Sequence, residues 1–162
     1  MSWIALVSTA LGAVVGLGSA LLSDRVRWGR ERVERQLTTQ RDMYVAYLSA
    51  LHEANQALRM VSLGDHPAEV SRDLAARAAF RDAGLVQARE HLALTASEPV
   101  VMAADAAFRA LRALRDRITQ GHDLHSPGYE ADLTRYNDRL QSLRNAIRKD
   151  LHTDALSFQM PL

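Results

Sequence analysis

The chain has no cysteine, a single lysine (Lys149) and few aromatic residues. Without cysteine it has no disulfide, thiolate metal site, cysteine nucleophile or lipidated cysteine. Its 20 basic and 19 acidic residues give a net charge of +1. Because binding of phosphates requires a clustered excess of positive charge, this balance argues against a nucleic-acid partner. A length of 162 residues fits one domain together with one membrane anchor.

A stretch without charged side chains, residues 3–22, lies near the start of the sequence. At a rise of about 1.5 Å per residue, a helix of this length covers the roughly 30 Å hydrocarbon core of a bilayer. Trp3 and Trp28 flank the stretch, as expected of indole rings that anchor a helix at the two membrane interfaces. Residues 1–23 are therefore predicted to form a transmembrane anchor.

Three other interpretations of this stretch have less support. A secretory signal peptide begins with basic residues, whereas only Met1 and Ser2 precede Trp3. A core helix of a soluble domain seldom runs this far without a charged outer face. A pore-forming segment stays open as an alternative, although nothing polar inside the stretch marks a conduction path.

Arginines follow the apolar stretch, but none precedes it. Positive charge beside a membrane helix favours the cytoplasmic side, so the N-terminus is predicted to face out and the body to lie in the cytoplasm. The same side chains are predicted to contact anionic lipid headgroups. The five arginines are Arg25, Arg27, Arg30, Arg32 and Arg35.

Small residues recur at every fourth position of the anchor, namely Ser8, Gly12, Gly16 and Ala20. This spacing places them on one face of a helix, where two membrane helices approach closely. Together with a juxtamembrane stalk helix at residues 24–38, the pattern predicts a parallel homodimer. The alternative is that Gly and Ala are simply frequent in membrane helices.

The rest of the sequence follows a helical period, and no alternating strand pattern of useful length appears. A heptad series of apolar residues predicts one long first helix, which ends before the turn residues Gly64 and Pro67. Gly84 lies in the middle of the second predicted helix as a weak point. The four predicted helices span residues 24–62, 68–95, 98–120 and 129–151.

Four amphipathic helices joined by short turns bury their apolar stripes most simply by packing antiparallel. The predicted fold class is all-α, with an N-terminal transmembrane helix that continues into the long helix of an antiparallel four-helix bundle. The predicted domains are the anchor at residues 1–23, the stalk at 24–38, the cytoplasmic bundle at 39–152 and a C-terminal tail at 153–162.

This organisation resembles that of small actinobacterial single-pass membrane proteins with a helical cytoplasmic domain. The resemblance consists of the apolar N-terminal segment, the Arg/Glu-rich stretch SDRVRWGRERVERQ at residues 23–36, and the Ala/Arg/Leu-rich helical body. It covers the whole chain and is compositional. It implies a place at the cell membrane, but it implies no activity and no functional residue.

No residue pattern in the chain indicates catalysis. No Glu has a His three positions later, which excludes the Glu-x-x-His pairs of di-iron bundles. Nucleophile elbows, phosphate-binding glycine loops and dinucleotide fingerprints are also missing. His122 and His125 flank Asp123, but the neighbouring Gly, Ser and Pro favour an ordinary turn over a metal site. We therefore expect no enzymatic activity, no cofactor and no bound metal.

Two groups of residues on the predicted helices have alternative interpretations. Arg109, Arg112 and Arg115 lie opposite the apolar stripe of the third helix, as a solvated face or as a docking strip for an acidic partner or anionic lipid. Three tyrosines on apolar stripes are either core residues or the lining of a ligand cavity. These tyrosines are Tyr44, Tyr47 and Tyr136.

The sequence as a whole predicts a membrane-tethered helical scaffold or interaction subunit without catalytic activity. Its expected partners are the membrane, a second copy of the chain and an unidentified cytoplasmic protein. The alternatives are a ligand-responsive sensor domain, and a membrane-acting toxin or phage-related protein.

Overall fold

The computed structural model of the chain describes residue 35 and residues 37–122 and 124–153. Every regular element formed by these residues is an α-helix, so the all-α prediction is confirmed. The chain divides into two compact units, Met1–Thr39 and Gln40–Leu162. All contacts described below lie within the second unit.

Among the helices of the described residues, none combines the length and the apolar character needed to cross a bilayer. The predicted anchor with its two tryptophans and its small-residue ladder lies outside the described residues. The same holds for four of the five juxtamembrane arginines, whereas Arg35 is helical and exposed. Residues 154–162 of the predicted tail also lie outside the described part.

Five helical segments follow one another in the described part of the chain. The last two, α4 and α5, lie within two residues of the bounds that the sequence predicts. The segments are α1 (residues 37–62), α2 (Arg72–Asp82), α3 (Leu85–Thr95), α4 (Glu98–Thr119) and α5 (Pro127–Asp150).

Turn and cap residues determine where these helices begin and end. After α1, Gly64 has a φ of +83°, a left-handed conformation that glycine adopts without steric cost. Before α5, the Ser126 hydroxyl accepts a hydrogen bond from the Tyr129 amide at 3.3 Å. Ser97 occupies the equivalent position before α4, but its side chain makes no capping hydrogen bond.

The predicted second helix is in fact two helices, because the chain turns at Ala83 and Gly84. Gly84 has a φ of +62°, a left-handed conformation that ends α2 before α3 begins. The buried face of α2 is therefore independent of the face of α3. Leu74 of α2 is 59% exposed. The residues that α2 buries are Ala76, Ala79 and Phe80.

Side-chain contacts show the directions in which the helices run. Tyr44 near the start of α1 contacts Asp150 at the end of α5, and Leu51 further along α1 contacts Tyr136 earlier on α5. These two helices are therefore antiparallel. Helices α4 and α5 follow each other through a short connection and pack together extensively.

The pair α2 and α3 runs antiparallel to α4. Phe80 of α2 packs against Phe108 of α4, whereas Arg89 of α3, later in the chain, pairs with Asp105, earlier on α4. The broken pair α2–α3 thus takes the place of the predicted second helix. It lies beside α4 as one interrupted layer of the bundle.

The core lies between these segments, and the apolar stripes of α1, α4 and α5 supply most of it. The heptad positions of α1 from Tyr44 to Val61 are buried, as the sequence predicts. Burial of each large apolar side chain stabilises the fold by about 1.5 to 3 kcal/mol before entropy is counted. The largest fully buried side chains are Tyr44, Tyr47, Tyr136, Leu51, Leu58, Leu85, Leu92, Leu111, Leu114, Ile118, Leu143 and Val100.

Candidate interaction surface

Two fully buried tyrosines join neighbouring helices through their hydroxyl groups. The Tyr47 hydroxyl donates to the carbonyl oxygen of Ala104 at 3.0 Å, and the Tyr136 hydroxyl donates to that of Leu51 at 3.3 Å. Burial raises the pKa of both phenols above their ordinary value of 10. Because each hydroxyl is already bonded to a neighbouring helix, the geometry favours core residues over the lining of a ligand cavity.

Tyr44 belongs to a polar cluster that joins the beginning of α1 to the end of α5. Its hydroxyl donates to Oδ2 of Asp150 at 2.5 Å, and Nε2 of Gln40 donates to the same oxygen at 2.6 Å. Burial and, after it, the bond to the carboxylate raise the pKa of Tyr44 to about 12. This cluster fixes the end of α5 against α1.

Asp105 on α4 is shared by two arginines. Its Oδ1 lies 2.8 Å from Nη2 of Arg89 on α3, and its Oδ2 lies 2.8 Å from Nη2 of Arg109, one turn further along α4. The side chain of Arg109 is 71% exposed. One carboxylate thus pairs with two guanidinium groups, one on each helix.

Two phenylalanines pack edge to face where α2 meets α4. The ring centroids of Phe80 and Phe108 are 5.9 Å apart, and Cζ of Arg89 lies 4.8 Å from the Phe108 centroid. Cζ of Arg115 lies 5.1 Å from the Phe80 centroid, and its Nη2 is 2.5 Å from Asp116. With only 18% of its side chain exposed, Arg115 faces this ring and not the solvated strip on which the sequence places it.

A groove of about 360 Å³ lies between the second half of α3 and the first half of α4. Its apolar lining comes from both helices and includes Ala93, Val101 and Met102, of which Met102 is 66% exposed. An exposed apolar surface with a charged rim is typical of protein interaction sites. The charged side chains that line the groove are Arg89, Glu90, Asp105 and Arg109.

The helix α3 leaves much of its own surface open. It buries only Leu85 and Leu92, whereas Val86 and Leu94 are exposed. A helix of 11 residues that contributes two side chains to the core has most of its circumference available for other contacts. The helix α3, which forms one wall of the groove, therefore contributes only two buried side chains to the core.

Near the C-terminal end of α4, the buried carboxylate of Asp132 on α5 binds two arginines. Its Oδ2 lies 2.9 Å from Nη2 of Arg117, its Oδ1 lies 2.7 Å from Nη1 of Arg135, and its side chain is 5% exposed. A Cβ on Gly128 would lie 3.0 Å from Nη1 of Arg117, so glycine leaves room for this guanidinium. Both guanidinium groups pair with the same carboxylate, so the network links Arg117 of α4 to Asp132 and Arg135 of α5.

Among the described residues, the histidines of the turn between α4 and α5 belong to no group of side chains that could hold a metal ion. His122 and His125 are both exposed, and Asp123 between them lies outside the described residues. Within the described part of the chain, no three His, Asp or Glu side chains lie close enough to hold a metal ion.

The residue pattern of α4 predicts part of this surface, and the rest depends on contacts between helices. Arg109 and Arg112 of the predicted strip are exposed. The pairing of Arg89 with Asp105 joins residues 16 positions apart on different helices, and no spacing pattern within one helix reports such a pair. In the sequence, the exposure of Met102 is indicated only by its position on the polar side of α4, between Glu98 and Asp105.

Comparisons with protein-family models, with curated proteins and with solved structures found no match for this chain. The assignment of a function therefore depends on the geometry of the surface and on the sequence.

Proposed function

We propose that this protein is a membrane-tethered helical interaction subunit without catalytic activity, whose bundle lies on the cytoplasmic side and binds another protein. The observation that carries the proposal is the groove between α3 and α4. Met102 gives the lining of this groove an exposed apolar side chain, and four charged side chains share the lining with it, namely Arg89, Glu90, Asp105 and Arg109.

An apolar centre with a charged rim is the usual composition of a protein interface. Single exposed apolar side chains are common on soluble proteins and require no explanation. In this chain, however, Met102 lies inside a concave surface with apolar neighbours on both helices. Desolvation of such a concave centre is what gives an interface most of its affinity.

The tether is inferred from sequence alone. Residues 3–22 carry no charge, and the five arginines that follow them favour an anchor with the body in the cytoplasm. We further propose that the chain forms a parallel homodimer through Ser8, Gly12, Gly16 and Ala20. A binding module held at a membrane meets its partner at an increased local concentration, which suits a scaffold role.

The position of the bundle is tested with topology reporters fused after Leu162. A reporter that is active only in the cytoplasm should give signal, and alkaline phosphatase, which requires export, should be inactive. Active phosphatase at this position would overturn the cytoplasmic assignment.

The interaction role is tested by site-specific photocrosslinking in intact cells. A photoreactive residue at Met102 should form an adduct with a second protein, because Met102 lines the groove and is exposed. The matched control carries the same photoreactive residue at Arg139, an exposed position on α5. Equal adduct yields at the two positions would remove the groove as the binding surface.

A further inference from the structure

The outer face of α4 changes charge along its length. Glu98 lies in its first turn and Arg109 and Arg112 lie further along, and all three are exposed. Glu90 of α3 also lines the groove, beside Arg89 in the sequence, whose guanidinium pairs with Asp105. Glu98 and Arg109 are separated by about 16 Å along the helix axis, with Met102 between them. The groove and the face of α4 that borders it therefore change from acidic Glu98, past the apolar Met102 and the Arg89–Asp105 pair, to basic Arg109 and Arg112.

We propose that the occupant of the groove is one amphipathic helix of a partner protein. Its apolar face covers Met102, its acidic side chains face Arg109 and Arg112, and its basic side chains face Glu98. This proposal rests on the proposed interaction function and gives that function a partner chemistry.

Two antiparallel helices offer ridges and grooves into which a third helix fits at an axis separation of about 8 to 10 Å. A partner helix supplies apolar anchors at i, i+3 or i+4, and i+7, which suits the narrow apolar strip along α3 and α4. Strand addition needs an exposed sheet edge, and the described residues form no strand. The groove geometry thus favours a helix over an extended segment.

The charge pattern separates this occupant from the alternatives. An anionic lipid surface, or a uniformly acidic partner, would be attracted by Arg109 but repelled by Glu98. A helix with acidic residues at one end and basic residues at the other avoids these repulsions.

The test uses the full-length protein in nanodiscs of neutral phosphatidylcholine and three synthetic helical peptides of about 18 residues, or about 27 Å. All three carry the same leucine face. The mixed peptide has two glutamates at one end and two lysines at the other. The all-lysine peptide has two lysines at each end, and the all-glutamate peptide has two glutamates at each end. We expect the mixed peptide to bind at least about threefold more tightly than either of the others, as two exposed ion pairs allow.

A charge exchange on the protein should change which peptide it prefers. Arg109→Glu combined with Arg112→Glu makes both ends of the groove acidic, so the all-lysine peptide should become the tightest binder. The matched control is Arg139→Glu combined with Lys149→Glu on exposed positions of α5, and it should leave the preference unchanged. Met102→Asp should weaken binding of the mixed peptide by about tenfold or more, since it puts a charge in the apolar centre. Circular dichroism and thermal unfolding check that each variant keeps the wild-type helix content and Tm.

Equal affinity for the three peptides, or an unchanged preference after the charge exchange, would overturn the proposal. So would self-association of the wild-type chain that Met102→Asp abolishes, because a second copy would then be the occupant. Peptide binding that requires removal of residues 154–162 would assign the groove to the protein's own C-terminal segment. Adducts at Met102 in cells together with no peptide preference would overturn the helical partner but leave the proposed interaction role standing.

Discussion

Tyr47 and Tyr136 illustrate how single polar groups are accommodated in the interior of this bundle. Their rings fill the space between helices, and each hydroxyl donates to a carbonyl oxygen that also belongs to a helix. A buried hydroxyl without a partner would cost about 1 to 3 kcal/mol. The two tyrosines thus combine a large buried apolar surface with a satisfied polar group.

Burial of these phenols makes the stability of the bundle fall at alkaline pH. The pKa of each phenol is about 10 in the unfolded chain and is raised in the folded protein. The stabilising contribution is complete below about pH 10, and it is lost as the pH rises further, because the unfolded chain then releases protons that the folded chain retains. Tyr47→Phe combined with Tyr136→Phe should lower stability by about 1 kcal/mol per lost hydrogen bond at neutral pH. The double variant should also lose less stability than wild type between pH 8 and pH 11.

The measurement is denaturant unfolding of the bundle, followed by circular dichroism at both pH values. An equal loss of unfolding free energy in wild type and double variant would mean that these two phenols do not set the alkaline limit.

Asp132 is the residue whose charge links α4 to α5. The carboxylate of Asp132 is almost completely buried and pairs with Arg117 and Arg135. The substitution Asp132→Asn removes its negative charge. We expect a loss of about 1 to 3 kcal/mol in the free energy of unfolding. The matched control is Asp73→Asn, which breaks an exposed pair with Arg77 and should change stability little. Similar losses in the two variants would show that burial adds nothing to the Asp132 network.

At the scale of elements, Gly84 separates α2 from α3. A Cβ at this position would find space, since its nearest neighbour is a flexible side-chain atom of Gln87 at 3.6 Å, but the φ of +62° is strained for alanine. Gly84→Ala should therefore destabilise the protein by about 1 kcal/mol, and Gly84→Asn by less, because Asn tolerates the left-handed conformation. A single continuous helix predicts the opposite sign, since alanine is favoured over glycine inside a helix. Denaturant unfolding of the two variants distinguishes these outcomes.

The starts of α4 and α5 offer a second comparison at this scale. Ser126→Ala removes a hydroxyl that accepts a hydrogen bond from a backbone amide and should cost about 1 kcal/mol. Ser97→Ala should cost less, because that side chain makes no capping hydrogen bond. The two variants are compared by their midpoints of thermal unfolding. A larger drop for Ser97→Ala would contradict the capping geometry.

At the scale of the whole molecule, the proposed homodimer makes a prediction about the anchor. Gly12→Ile combined with Gly16→Ile should abolish most of the association signal in a membrane two-hybrid assay, since bulky side chains prevent the close approach of two helices. Val14→Ile lies off the small-residue ladder and serves as the control, with an unchanged signal. Unaltered association of the double variant would remove the ladder from the interface, and a monomeric wild type would remove the dimer.

The sequence by itself determined the helices α1, α4 and α5 and most of the residues that they bury. These properties follow from local periodicity, because hydrogen bonds and side-chain neighbours within a helix join residues three or four positions apart. The positions from Tyr44 to Val61 and the stripe of α5 from Tyr129 to Ile147 are buried mostly as that spacing requires. Turn residues such as Gly64 also acted locally, through their own backbone conformation.

Only the tertiary structure decided the break at Gly84 and the composition of the charged clusters. Glycine is tolerated inside a helix at a small cost, so packing against α4 and not the local sequence determines whether the chain turns there. Asp132 looks like a surface residue in the sequence, and its burial depends on Arg117 from another helix. In the same way, Asp105 meets Arg89 only because the core fixes the register of α3 against α4. Contacts between helices depend on the packing of the whole core, and no pattern within one helix encodes them.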